Sequence, residues 1–315
     1  MASGDLSLYL RGRFNQAIAR LQNRRSPLPF PTPLPTGTLL SDEAPSPLAF
    51  VRWLEGRSNI DRQLLVGHYL EAKRYPLVRA PYHSFEGEGE NFVVDVGGRG
   101  PLFILIAHHD AVPGSPGAND NASGIGILLH VLRTLWEESP QHLRVRFLFT
   151  GDEERGYLGA RGYVKMTTLP DTLGVLSLEL CGIGDSLAVW DVLPEFAQAP
   201  ILQALSWTWE SLGYRRDETY HLVDRIPVFG SDHRAFAAKG IPAFGLTALP
   251  SAGVDRLREF IFKPFRPSLL FPRRRPVPFD TYHTVNDRSE HLDPHAMLRV
   301  SDALLALIAT LDRRA

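Results

Sequence analysis

The sequence predicts an α/β fold of three layers, with helices on both faces of a mixed, largely parallel central sheet. Three observations point there. From residue 91 onward, runs rich in branched and aromatic residues alternate with helical patterns. Several of those runs, "LFILIA" above all, are too apolar to own a wet face, as in strands covered on both sides. The order strand, strand, helix, strand, helix, strand is that of a sheet crossed by helices.

Taken in order, residues 6–24 carry Leu6, Leu10, Phe14, Ile18 and Leu21 at helical spacing with arginines between them. This is a helix docked on the domain, or an interfacial or partner-binding helix. The prolines of "SPLPFPTPLPTG" (26–37) forbid a regular helix or central strand, so the stretch is a linker or extended strap. Residues 1–43 therefore form an N-terminal helix plus a Pro-rich strap, ahead of one domain over 44–315. Polar helical patterns fill 44–75. Strands are expected at 91–96, 101–109, 144–151, 174–180 and 241–247, and helices at 122–138, 157–166, 198–212, 233–239 and 293–312. The Pro/Arg loop "PFRPSLLFPRRRPVPFD" (264–280) is long for a compact domain, and such loops are often functional.

A chain of 315 residues can bury a sizeable core. Its 34 Lys+Arg nearly balance 35 Asp+Glu, so charge offers no support for a nucleic-acid or anionic-membrane partner. One cysteine, Cys181, excludes an intramolecular disulfide framework and is expected as a buried thiol. No window holds 18 uninterrupted apolar residues, so no membrane span is expected. The N-terminus lacks the apolar core of a signal peptide, and a cytoplasmic location is the expectation.

Ligands of α/β sheets bind beyond the carboxyl ends of the strands, and polar residues collect there. His108, His109 and Asp110 follow one strand; Asp152, Glu153 and Glu154 follow the next; Glu179 ends a third. Asp120 sits in "SPGANDNASGIG", alone among small residues, and His283 stands in "DTYHTVND". Two imidazoles and three carboxylates can hold two zinc ions if one carboxylate bridges. Small neighbours would let two cations approach Asp120. Glu179 lies in an apolar run, where an unpaired carboxylate is costly. Other chemistries fit less well: no GxxxxGK[ST] follows the Gly-rich loop, Ser123 lacks a GxSxG elbow, and consecutive Ser231, Asp232 and His233 cannot form a triad.

The motifs "HHD" (108–110), "GANDNASG" (117–124), "DEERGYLGARGYV" (152–164), "SLELCG" (177–182), "GSDHRAF" (230–236) and "YHTVND" (282–287) occur in an order and spacing that resemble metallopeptidase family 28. This family holds co-catalytic zinc aminopeptidases, glutamate carboxypeptidase, glutaminyl cyclase and the transferrin receptor. The resemblance covers about 75–315 and implies the phosphorylase/hydrolase-like zinc exopeptidase fold. It implies two zinc ions per chain: His108 and Glu179 on one, Glu154 and His283 on the other, Asp120 bridging. Asp110 would sit behind His108 and fix its tautomer, and Glu153 would be the general base. The family commonly has Asp where this chain has Glu179. His109 is expected to be structural or at the cleft rim.

The activity implied is that of a metallo-aminopeptidase, hydrolysing N-terminal residues of a peptide substrate through a water activated by two zinc ions. The alternatives are a single-zinc, glutaminyl cyclase-like acyltransferase forming N-terminal pyroglutamate, and a non-catalytic binding module. Asp232 matches a position that matters to cyclases; with His233 and Tyr282 it is expected at the substrate. Asp287 would order the His283 loop or cap the helix beginning near 293. Arg273, Arg274 and Arg275 would either charge the rim of the mouth or form a solvated run.

Overall fold

The computed structural model describes residues 3–24, 28–263 and 275–315. Four helices come first: α1 (Ser3–Asn23), α2 (Thr36–Ser41), α3 (Pro47–Leu54) and α4 (Asn59–Ala72). Side chains of Ser46 and Ser58 accept the backbone N–H of Ala49 and Asp61, which fixes where α3 and α4 begin. Strands β1 (Val78–Ser84), β2 (Gly87–Gly97) and β3 (Leu102–His108) follow, then α5 (Ser123–Glu137), β4 (Arg144–Thr150), α6 (Leu158–Met166) and β5 (Thr172–Leu178). The chain continues through β6 (Ser186–Trp190), α7 (Pro200–Ser211), β7 (Tyr220–Val223), α8 (His233–Ala237), β8 (Ala243–Leu249), α9 (Val254–Phe262) and α10 (Pro294–Arg314).

The eight strands form one sheet in the order β1-β2-β4-β3-β5-β8-β6-β7. Its centre, β4-β3-β5-β8, is parallel, while β1, β2 and β6 join antiparallel. The fully buried strand β3 divides its side chains between two cores, as the two-residue period of a strand requires. Phe103, Leu105 and Ala107 face the layer of α3, α5, α7 and α10; Leu102, Ile104 and Ile106 face α6 and α8. These are the three expected layers. Strands β1, β6 and β7 and helix α9 add to the expected elements; β6 and β7, of five and four residues, are too brief to stand out by pattern alone.

Helix α10 is long and apolar enough to cross a membrane, by length and composition only; in the fold, Met297, Val300, Leu304, Leu307 and Ile308 bury it in the main core. Consecutive connections leave β3 in opposite directions, through α5 to β4 and then past β3 through α6 to β5. That reversal leaves a crevice beyond the carboxyl ends of β3, β4 and β5, where α/β sheets bind their ligands.

Candidate metal centre

His108 is the last residue of β3, Glu153 and Glu154 lie in the turn after β4, and Glu179 follows β5 directly. The sheet thus delivers three segments to one place. The loop 117–122 and the His283 loop supply the rest. His108, Asp120 and Glu179 form one group, and Asp120, Glu154 and His283 a second, with the donor atoms of each within 4.8 Å of one another. Asp120 belongs to both.

The distances show how closely these groups are held. His108 Nε2 lies 3.4 Å from Asp120 Oδ1 and 3.4 Å from Glu179 Oε2. His283 Nε2 lies 3.2 Å from Asp120 Oδ2 and 3.1 Å from Glu154 Oε2. All five residues are buried. Nevertheless His108 Nε2 and Asp120 Oδ2 are buried with no hydrogen bond of their own. Buried polar atoms are rarely left so, and a cation between them would satisfy both. Imidazole nitrogens and carboxylate oxygens are zinc donors, so the set fits that ion.

Electrostatics agree with the fit. Burial lowers the pKa of His108, but Glu179, Asp110 and Asp120 outweigh it and raise it well above the ordinary value. For His283 burial is likewise overcome, chiefly by Glu154 and Asp120, and the value rises to about 10. Burial pushes Glu154 up to about 7, only partly offset by His283, and drives Glu153 well above the carboxylate range. Carboxylates crowded together in a buried site hold protons that a bound cation could replace.

Other residues hold the donors in place. Asp110 Oδ1 is 3.3 Å from His108 Nδ1, leaving Nε2 to face the centre. The same carboxylate accepts the N–H of Glu153 at 3.0 Å and of Glu154 at 3.1 Å, tying the β4 turn to the end of β3. Asp152 (φ 54°) faces away, accepting from Tyr82 and Arg155. Glu179 Oε1 accepts from Ser231, and Asp287 accepts the N–H of Asn119 and Asp120. Asp287 therefore ties its own loop to the Asp120 loop by accepting hydrogen bonds, in keeping with the first of its expected roles, and does not cap α10, whose cap is Asp293.

The small residues around Asp120 serve the loop's own packing. Asn121 donates to Leu178 O at 2.7 Å, and Gly182 N donates to Asn119 Oδ1 at 2.8 Å. At Gly117 (φ 70°) an added Cβ would come within 2.6 Å of Ala111 and 2.7 Å of Arg62. Arg62 itself, fully buried on α4, is a site residue that sequence reasoning missed. It donates to His109 O at 2.5 Å and through both terminal nitrogens to Gly117 O at 3.2 Å, joining two donor loops. Its signal is a charge on the buried stripe Arg62, Val66, Tyr69, Leu70 of an otherwise amphipathic pattern.

His109 is buried rather than at a rim, with Nε2 3.4 Å from Glu90 O and its ring beside Phe92; burial lowers its pKa to about 4. Asp232 and His233, expected at the substrate, are fully buried in the wall: Thr150 donates to Asp232, and His233 pairs with Asp191 at 3.0 Å. Tyr282 does reach the cleft, stacked on His283 with ring centroids 3.7 Å apart. Arg275 donates to Tyr282 O at 3.2 Å, so it is bound to the loop and is no part of a solvated run. Arg273 and Arg274 lie outside the described residues.

Beside the donors opens an apolar hollow of about 700 Å³, mouth included, with Asp120, Glu153 and Glu179 at one end. Trp190, Ile226, Phe229, Leu249 and Phe279 line it. The indole of Trp190 is pinned by a 3.0 Å hydrogen bond to Thr247 and lies over Gly245, where any Cβ would collide with it.

A buried imidazole–carboxylate cluster at the carboxyl edge of a three-layer sheet is the feature that comparison with known proteins can now place. The sequence profile of peptidase family M28 matches residues 91–308, and the chain belongs to that family. Aminopeptidase YwaD of Bacillus subtilis is 26% identical over 209 residues, covering 66% of this chain and 40% of that protein. The structure of BSAP, a zinc aminopeptidase from Bacillus subtilis, matches with a TM-score of 0.54 at 22% identity over 71% of this chain and 50% of the other. The glutaminyl cyclase of an Acidobacteriales bacterium matches with a TM-score of 0.63 at 16% identity over 96% of each chain. The chain thus spans about half the length, or less, of the aminopeptidases it matches.

Proposed function

We propose that the protein is a zinc-dependent aminopeptidase that removes bulky apolar residues from peptide N-termini. The observation that carries this reading is the pair of donor groups sharing Asp120, beside a carboxylate, Glu153, that lines the hollow next to them. His108, Asp120 and Glu179 would hold one zinc, and Asp120, Glu154 and His283 the other. Bound zinc would lower the pKa of water and polarise a carbonyl oxygen.

The chain's own groups supply the remainder. Glu153 accepts the proton of the attacking water and passes it to the leaving amine, a role its place at the edge of the cleft allows. Asp110 holds His108 in one tautomer and the backbone of Glu153 in register. The apolar hollow takes the first side chain of the peptide, and its water-excluding walls favour large apolar groups.

The test is a panel of aminoacyl fluorogenic substrates with zinc-replete protein. Leucyl and phenylalanyl substrates should be cleaved faster than glycyl or glutamyl ones, and Glu153→Gln should lose roughly 10²–10⁴ in rate while keeping its metal. Formation of pyroglutamate from glutaminyl peptides, without release of amino acids, would overturn the reading in favour of the cyclase class.

A further inference from the structure

The balanced charge of the whole chain hides an uneven distribution. Residues 1–25 hold five arginines and one acid, Asp5, a net +4, while the remainder carries −5. No acidic residue stands between Leu6 and Arg24. Helix α1 carries most of this segment, and its outer side is apolar: Leu6, Leu10, Phe14 and Leu21 are 47 to 72 % exposed. At about 100° per residue these four fall within an arc of about 80°. Exposed Ala17 lies among them, and exposed Arg13 and Arg20 run along one border. Arg24, also exposed, continues that border at the end of the helix.

This stripe cannot turn inward, because the opposite side of α1 is seated on the domain. A Cβ on Gly12 would come within 2.6 Å of the Arg155 carbonyl carbon, and one on Gly156 within 2.6 Å of Leu8 O. Arg11 donates to Val228 O. At the far end, Asn23 donates to His283 O at 3.1 Å and accepts from Val285 N at 3.1 Å. The helix is thus held in place by one face and presents the other, apolar and cationic, to whatever lies outside.

We propose that α1 is an interfacial helix. It lays Leu6, Leu10, Phe14 and Leu21 into the headgroup boundary of an anionic lipid surface, with Arg13, Arg20 and Arg24 on the lipid phosphates. Binding of such a helix grows with the apolar area it buries and with the cations at its border, and α1 has both. A second copy of the chain fits this face less well. Helix against helix, it would set one cationic face against another. The four apolar side chains expose on the order of 500 Å², short of the ~800 Å² that each partner of a stable protein complex contributes. A lipid surface supplies the opposite charge along the whole border and needs no matching shape. Since Asn23 ties α1 to the His283 loop and Gly12 packs on the turn after β4, the bound protein holds both donor loops near that surface.

The experiment is co-sedimentation of the full chain with vesicles of phosphatidylcholine alone and of phosphatidylcholine mixed equally with phosphatidylglycerol, at low and high salt. Wild type should bind the anionic vesicles roughly tenfold to a hundredfold more tightly than the neutral ones, a preference that shrinks as salt rises. Arg13→Gln combined with Arg20→Gln should remove most of that preference. Leu10→Gln combined with Phe14→Gln should weaken binding to the anionic vesicles by about tenfold or more. All four side chains are exposed, so both double variants should keep the thermal midpoint of wild type. Absence of binding, equal binding to the two vesicles, or wild-type binding by the Leu10→Gln, Phe14→Gln variant overturns the proposal. So does a dimer in solution that this variant disperses, since the face would then belong to a second copy.

Discussion

Asp287 reaches from the His283 loop to the backbone of Asp120, accepting its N–H at 3.1 Å and that of Asn119 at 2.6 Å. One carboxylate thus fixes the residue shared by both donor groups, and does so from the loop that carries a donor of the second. Burial and the nearby Asp120 raise its pKa to about 7, against the pull of those two N–H groups. Asp287→Ala should weaken zinc retention against a chelator by roughly 10–100-fold, the usual cost of losing a residue that orients metal ligands. Unaltered retention would reduce Asp287 to a local contact.

Arg62 plays a comparable part from beneath. Arg62→Met keeps an unbranched apolar stem but removes the guanidinium, stranding the carbonyls of His109 and Gly117 in a buried site. Each stranded acceptor costs about 1–3 kcal/mol, so denaturant midpoints should fall clearly, and zinc affinity with them. A variant of full stability would show that water replaces the guanidinium without loss.

The apolar hollow predicts a change in specificity. Ala188 on β6 lines it and is nearly buried. Ala188→Phe should cut kcat/KM for leucyl and phenylalanyl substrates at least tenfold while alanyl substrates lose less, since blocked volume penalises large side chains first. A uniform loss across the panel would place the first side chain elsewhere.

Zinc binding should be linked to protons. In the metal-free site the carboxylates of Glu154 and Asp120 raise His283 to about 10, and Glu179 and its neighbours raise His108, so both imidazoles are protonated at neutral pH. Zinc takes only the neutral form. Binding at pH 7 should therefore release about two protons or more, and affinity should rise with pH across the neutral range. Calorimetry in buffers of different ionisation enthalpy measures this directly; no release between pH 6 and 8 would contradict the protonation of the two imidazoles.

Much of the donor set was legible because strand ends can be read from apolar runs, and the polar residues that follow them fall at one edge of a parallel sheet. His108, Glu154 and Glu179 are of this kind. The packing around them was not legible. In α1, the docked reading would turn Leu6, Leu10, Phe14 and Leu21 inward, whereas all four are exposed, as the interfacial or partner-binding alternative would leave them, and the helix docks over Gly12 and Ala19. Close backbone approach selects small residues, which a hydrophobic period overlooks. Asp232 and His233 mislead in the other direction: polar residues beside a motif are expected at the substrate, yet they satisfy Thr150 and Asp191 inside the wall.

The claim on which the rest depends is that Asp120 is shared by two zinc ions. Crystals of zinc-loaded protein, measured at the zinc absorption edge, test it most directly. The account predicts two anomalous peaks roughly 3.5–4 Å apart on either side of Asp120, one near His108 and Glu179 and the other near Glu154 and His283. A single peak at full zinc loading, or two that do not straddle Asp120, would contradict it.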